Sequence, residues 1–175
     1  SIKRINCPAT RGYYRALPSD AAGAHGVNAH GVIMDEFHTQ PNRQLWDVLR
    51  TSTIAREQPL TLGVTTAGIG RSGPCYEMYD YTQRWLAGSV ADRSFVGRIF
   101  EVPEGTTFAT LAAQDVYGNF IHEDDLWTLA NPSMLGQPGG FLDPEALRAL
   151  VREALEIPSQ QNSVMQLYFN MWVGA

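Results

Sequence analysis

Gly31-Val32-Ile33-Met34-Asp35-Glu36-Phe37-His38 is the stretch that decides how this chain is read. Its first four residues form a short apolar run of the kind that anchors a strand in a core. The residue after such a run is therefore held rigidly at a sheet end. Two adjacent carboxylates stand at that place. Putting them there is costly unless a cation or a reaction uses them. The bland alternative is a strand that runs out into a solvated acidic turn.

The flanking sequence favours the reactive reading. Between Pro41 and Glu57, the residues Leu45, Val48, Leu49 and Ser52 recur at helical spacing, with Trp46 flanking them. Gln58-Pro59-Leu60-Thr61-Leu62-Gly63-Val64 then forms a second apolar run that ends in Thr65-Thr66-Ala67-Gly68. The order is strand, Asp-Glu, helix, strand, Thr-Thr-Ala-Gly. One such crossover predicts a parallel pair with both functional ends on the same edge. In nucleotide hydrolases a strand ending in Asp-Glu is the Walker B arrangement, whose Asp holds Mg2+ and whose Glu polarises the attacking water. Thr65 and Thr66 are expected beside Asp35 and Glu36, where a hydroxyl senses a phosphate or that water.

Three stretches together resemble the large subunit of tailed-phage terminases with an HK97-like organisation. They are Val32 to His38, Ala55-Arg56-Glu57-Gln58-Pro59-Leu60, and Thr65 to Gly68. The likeness extends to Leu17-Pro18-Ser19-Asp20 with His25-Gly26-Val27-Asn28, to Asp125-Leu126-Trp127 with Ala130-Asn131-Pro132-Ser133, and to Asn170-Met171-Trp172-Val173.

The resemblance implies an α/β fold: a partial P-loop NTPase of the ASCE type, a three-layer sandwich with a mainly parallel sheet, plus a mostly helical C-terminal subdomain. It implies residues 1–102 as the C-terminal half of the ATPase domain and residues 103–175 as a connecting subdomain that leads toward a nuclease domain. In that reading Glu36 is the catalytic carboxylate. Asp35 positions Mg2+, and Thr65, Thr66 and Gly68 couple the state of the ATP γ-phosphate to motion. The implied partners are double-stranded DNA, a portal protein, a terminase small subunit and sister large subunits, in the cytoplasm of a bacterial host.

The family pattern also has parts that this sequence lacks. No G-x-x-x-x-G-K-[ST] occurs, and Lys3 is the one lysine, so the P-loop lysine and the hydroxyl that binds Mg2+ directly are missing. The expectation is a fragment that neither binds ATP tightly nor hydrolyses it alone. Such a fragment should associate with itself through sheet surface that is left uncovered. No arginine lies between Ala21 and His30, so an arginine finger is left unassigned among Arg11, Arg15 and Arg56.

Composition sets wider bounds. At 175 residues, 44% apolar and 18% charged, the chain is an ordinary globular sequence with room for one sizeable core. A net charge of −5 argues against a general nucleic-acid clamp. No apolar run approaches the roughly 20 residues that cross a bilayer. Cys7 and Cys75 are unrelated singles, read as reduced thiols.

Further elements are legible along the chain. Ile2 to Cys7 and Tyr13 to Leu17 read as strands, Ala21 to His30 as a loop, and Phe95 to Val102 as a strand. Pro74 to Leu86 reads as a helix capped near Ser72 or Gly73, with Tyr76, Tyr79 and Leu86 inward. Asp143-Pro144-Glu145 opens a helix whose apolar face carries Leu147, Leu150, Val151, Ala154 and Leu155. Gln161 to Val173 reads as a last helix.

Rival motifs compete with this reading. Gly68-Ile69-Gly70-Arg71-Ser72-Gly73 matches the G-x-G-x-x-G of dinucleotide-binding oxidoreductases, but Asp92 precedes a strand instead of ending one. Asp35-Glu36-Phe37-His38 matches the D-E-x-H box of helicases, which run the same Mg2+-ATP chemistry. A non-catalytic interaction module that keeps the fold is a third reading. His25, His30 and His38 fit no zinc spacing and read as loop or surface residues. Glu123-Asp124-Asp125 reads as a solvated acidic loop.

Overall fold

The computed structural model describes residues 3–18 and 26–174. Ser19 and Asp20, together with residues 21–25 of the expected 21–30 loop, His25 among them, lie outside them. The chain divides into two compact units. One comprises residues 1–35 and 40–64, and the other residues 36–39 and 65–175.

The first unit opens with a hairpin. Strands β1 (Arg4–Cys7) and β2 (Gly12–Arg15) pair antiparallel, Arg4 opposite Arg15 and Cys7 opposite Gly12. The turn between them puts Arg11 at φ 55°, and the Arg4 guanidinium lies 3.9 Å above the Tyr13 ring. The second sheet is the expected crossover. Strand β3 (Gly31–Met34) pairs parallel with β4 (Leu60–Gly63), from Gly31 opposite Leu60 to Met34 opposite Gly63. Val32 and Met34 are buried while Gly31 and Ile33 are exposed, so burial obeys the two-residue side-chain period.

Helix α1 (Gln44–Thr51) connects the two strands. It is shorter than the 41–57 pattern predicts, and the reason is local. At its start the Asn42 carboxamide accepts the Gln44 N–H. At its end Thr51, Ser52 and Thr53 turn their hydroxyls back onto the carbonyls of Asp47, Leu49 and Arg50. Those bonds take carbonyls that another helical turn would need. Trp46 does not flank the buried face but belongs to it, with Leu45 and Leu49, and its ring approaches the Cα side of Gly63.

The second unit is mainly helical. It contains α2 (Gly73–Leu86), α3 (Phe108–Leu111), a π-helical turn Glu123–Trp127 that runs into α4 (Thr128–Ala130), α5 (Pro144–Glu156) and α6 (Gln161–Phe169). Helix α2 starts as predicted, with Ser72 at the N-cap and Pro74 in the first turn. Its buried residues are Pro74, Cys75 and Thr82; Tyr76 and Tyr79 are half-buried and Leu86 is exposed. Helix α5 opens where Asp143 accepts the Glu145 N–H and Pro144 fills the first turn. It buries Leu147, Val151 and Ala154, whereas Leu155 lies outside. These pack with Phe108, Leu111, Trp127 and Phe169 into one core.

Four expectations from the sequence change here. Residues 95–102 are extended but form no strand, and their polar groups are met by the end of α6 instead. Val102 N–H donates to the Phe169 carbonyl, and the Asn170 amide donates to the Phe100 carbonyl at 2.8 Å. Helix α6 ends at Phe169 because Asn170 adopts the left-handed conformation, φ 53°. The acidic run at Glu123 is not a solvated loop: Arg148 makes two parallel bonds of 2.6 Å to the Glu123 carboxylate. The expected three-layer sandwich with a mainly parallel sheet is not what the described residues display. They hold two separate two-stranded sheets, one of them parallel.

Asn170 supports a direct test. Alanine there must hold a left-handed conformation, at about 1 kcal/mol, and loses the bond to Phe100, worth about 1 kcal/mol. Asn170→Ala is therefore expected to cost about 2 kcal/mol and Asn170→Gly about half as much. Denaturant titration of both variants checks this, and equal losses would contradict it.

Candidate functional site

The site is built on a 3-10 turn, Phe37–Thr39, just past the end of β3. Phe37 is buried and anchors it. The Glu36 carbonyl accepts both the Thr39 N–H (2.9 Å) and the Thr39 hydroxyl (2.8 Å). Within this turn Glu36 is held at φ 50°, a left-handed conformation that costs a non-glycine residue about 1–2 kcal/mol. The strain falls on the residue that the sequence singles out as catalytic. Its side chain is 58% exposed and so accessible to a ligand.

His38 joins Glu36 to the expected coupling segment. Its Nδ1 lies 3.2 Å from Glu36 Oε2, 3.1 Å from Thr65 Oγ1 and 3.4 Å from Thr66 Oγ1. Its backbone N–H donates to Thr65 Oγ1 at 2.9 Å. The Thr65 hydroxyl donates in turn to the Thr66 carbonyl at 2.8 Å, and Cys75 Sγ stands 3.9 Å from Thr65 Oγ1. Burial pushes the Cys75 thiol up. Both cysteines are free thiols, with Cys7 exposed and Cys75 buried.

The sequence reading of His38 as a loop or surface histidine is thus corrected. Its side chain is only 13% exposed and bridges three site residues. The D-E-x-H match was the signal that pointed to it. Spacing alone hid the role, because its partners Thr65 and Thr66 lie 27 and 28 positions onward.

The segment Thr65 to Gly68 is backed by the end of the chain's helical part. Gln166, buried on α6, donates to the Ala67 carbonyl at 2.9 Å. A Cβ on Gly68 would meet the Trp172 ring at 3.0 Å and the His38 Cβ at 3.6 Å, so Gly68 is a close-approach glycine. The Gly70 N–H donates to the Val173 carbonyl at 2.8 Å. This arrangement counts against the dinucleotide reading: the glycine run faces Trp172 and Val173, and Asp92 accepts from Tyr81 and Ser94 in a turn after α2.

Of the five residues proposed from sequence, Glu36, Thr65 and Thr66 meet at His38, and Gly68 is packed beside it. Asp35 is exposed at the end of β3, in the first unit. Among the described residues no group of three or more His, Cys, Asp or Glu side chains is placed to hold a metal ion. Arg56 donates to the Asn28 carbonyl. No helix among the described residues is long and apolar enough to cross a membrane.

A parallel strand pair that ends in Asp-Glu and Thr-Thr-Ala-Gly, continued in sequence by a mainly helical unit, makes a fold similar to that of a phage large terminase. The crystal structure of the HK97 bacteriophage large terminase superposes with a TM-score of 0.68 at 20% identity, over 93% of this chain and 30% of that one. Residues 2–84 match the family model for the terminase large subunit, ATPase domain. Protein YmfN of Escherichia coli (strain K12) is 36% identical over 80 residues, covering 46% of this chain and 18% of that protein. The chain thus spans less than a third of either relative.

Proposed function

We propose that this chain is the Walker B and coupling part of an ATP-driven DNA-packaging motor, the terminase large subunit of a tailed phage or prophage. The observation that carries the reading is the bridge from Glu36 through His38 to Thr65 and Thr66, inside the segment that matches the terminase ATPase family. In this reading the β3–β4 pair belongs to a three-layer P-loop sandwich. Residues 1–102 are the ATPase half, and residues 103–175 connect to a nuclease domain.

Mg2+ bound with ATP would neutralise charge on the β- and γ-phosphates. Asp35 is the residue that would hold it, through water. Glu36 orients the attacking water and accepts its proton. Thr65 and Thr66 present hydroxyls beside Glu36, so that a change at the γ-phosphate is felt in the segment that Gln166 and Trp172 back. DNA, a portal ring, a small subunit and sister subunits are the partners, in the cytoplasm of the bacterial host. A helicase-type translocase is the second reading, favoured by the D-E-x-H box and the His38–Thr65 bond; it uses the same residues in the same roles.

No phosphate-binding G-x-x-x-x-G-K-[ST] is present in the sequence, so the 175-residue chain alone is expected not to turn over ATP. The test measures Mg2+-dependent ATP hydrolysis by this chain and by a longer polypeptide that carries the phosphate loop. Turnover in the longer form only is the expected result. Equal turnover by both forms, or none by either, contradicts the reading.

A further inference from the structure

His38 Nδ1 has three oxygen neighbours, and the proton count among them is decisive. The Glu36 carboxylate, 3.2 Å away, can only accept. Thr65 Oγ1, 3.1 Å away, has already given its proton to the Thr66 carbonyl and already accepts the His38 N–H. Thr66 Oγ1 is the most distant, at 3.4 Å, and stands at the same distance from the Ala67 carbonyl. The proton that binds His38 to Glu36 must therefore sit on the ring nitrogen itself.

We propose that His38 is a positioning residue for Glu36: an imidazole held with Nδ1 protonated, whose Nδ1–H is shared between the Glu36 carboxylate and the Thr65 hydroxyl. This rests on the reading of Glu36 as the catalytic carboxylate. The ring is held in place from several sides. Phe37 and Thr39 fix its turn, its own N–H is bound to Thr65, and its Cβ stands against the Gly68–Trp172 contact. A ring so held cannot move with Thr65 without loosening Glu36. A shift of the Thr-Thr-Ala-Gly segment thereby changes where the carboxylate points, and the carboxylate's position is reported back to that segment.

Nitrogen-15 NMR of the imidazole in the 175-residue chain tests this. Expected is a protonated Nδ1 at His38, with the Nδ1–H population falling in Glu36→Leu. Thr65→Val should speed hydrogen exchange of the His38 amide by about tenfold while leaving the Nδ1–H form in place. An unprotonated Nδ1 in the unaltered chain, or an Nδ1–H population indifferent to Glu36→Leu, overturns the proposal whatever the enzyme does. In the longer ATP-hydrolysing polypeptide, His38→Ala should lower kcat by about tenfold or more with KM for ATP unchanged. His38→Asn, whose amide nitrogen stands near the Nδ1 position, should restore most of that loss. A rise in KM at constant kcat, or no rescue by Asn, also overturns it. Hydrolysis that survives Glu36→Gln would instead strike at the reading of Glu36, and the Nδ1–H result would stand.

Discussion

Glu36→Gln is expected to lower ATP hydrolysis by about 10²- to 10⁴-fold, with no loss of fold, in a polypeptide that turns over ATP. That is roughly 3–5 kcal/mol of transition-state stabilisation. Glutamine has the same length and the same shape, and the Glu36 side chain is largely exposed, so no packing is lost. Its carbonyl oxygen still accepts from His38 Nδ1–H, and the turn that holds Glu36 at φ 50° is made by its backbone carbonyl and Thr39. The substitution removes only the negative charge and the basic lone pair. Binding of nucleotide should persist, because a carboxylate offers a phosphate no hydrogen-bond donor that the amide lacks. A KM effect with unchanged kcat would assign Glu36 to binding instead of chemistry. Glu36→Asp is the informative companion. It keeps the charge but withdraws it by one methylene from both His38 and the water, so it should recover only a small part of the rate.

The strand–helix–strand core was readable because its signals are local and periodic. Val32 and Met34 alternate with exposed neighbours, and the Asp143-Pro144 start of α5 is a capping pattern with its own mechanism. The errors fell where a distant partner overrides local pattern. Residues 95–102 alternate like a strand, but their backbone groups are taken by Phe169 and Asn170, some 70 positions away. Trp46 has the spacing of a neighbour to the helical stripe, yet its ring closes over Gly63. At the site, the residue types and their order pointed to Asp35, Glu36, Thr65 and Thr66. The imidazole of His38 was hidden because no spacing rule links it to hydroxyls across a whole crossover.

The largest stability effect should come from Trp127→Ala. The indole is fully buried. Its ring lies 4.9 Å from that of Phe120 and 5.5 Å from that of Phe169, and its N–H donates to the Leu111 carbonyl at 3.0 Å. Truncation removes the ring, leaves a cavity and strands a buried carbonyl, for a loss of about 3–5 kcal/mol. Single domains hold about 5–15 kcal/mol in total, so the helical unit would be left near its unfolding threshold. Trp127→Phe separates the contributions: it keeps most of the ring packing and loses the N–H bond, at about 1–2 kcal/mol. Denaturant titration with circular dichroism measures both, and a loss under about 1 kcal/mol for the alanine variant would show that the core closes around the gap. The same substitution carries a second consequence. Phe169, which Trp127 packs against, ends α6, the helix whose Gln166 binds the Ala67 carbonyl, and Trp172, which covers Gly68, comes three residues after it. Loosening Phe169 should therefore speed hydrogen exchange at Ala67 and Gly68 as well as in the core. Protection kept there in Trp127→Ala would mean that the coupling segment is held by the His38 side of its surroundings and not by α6.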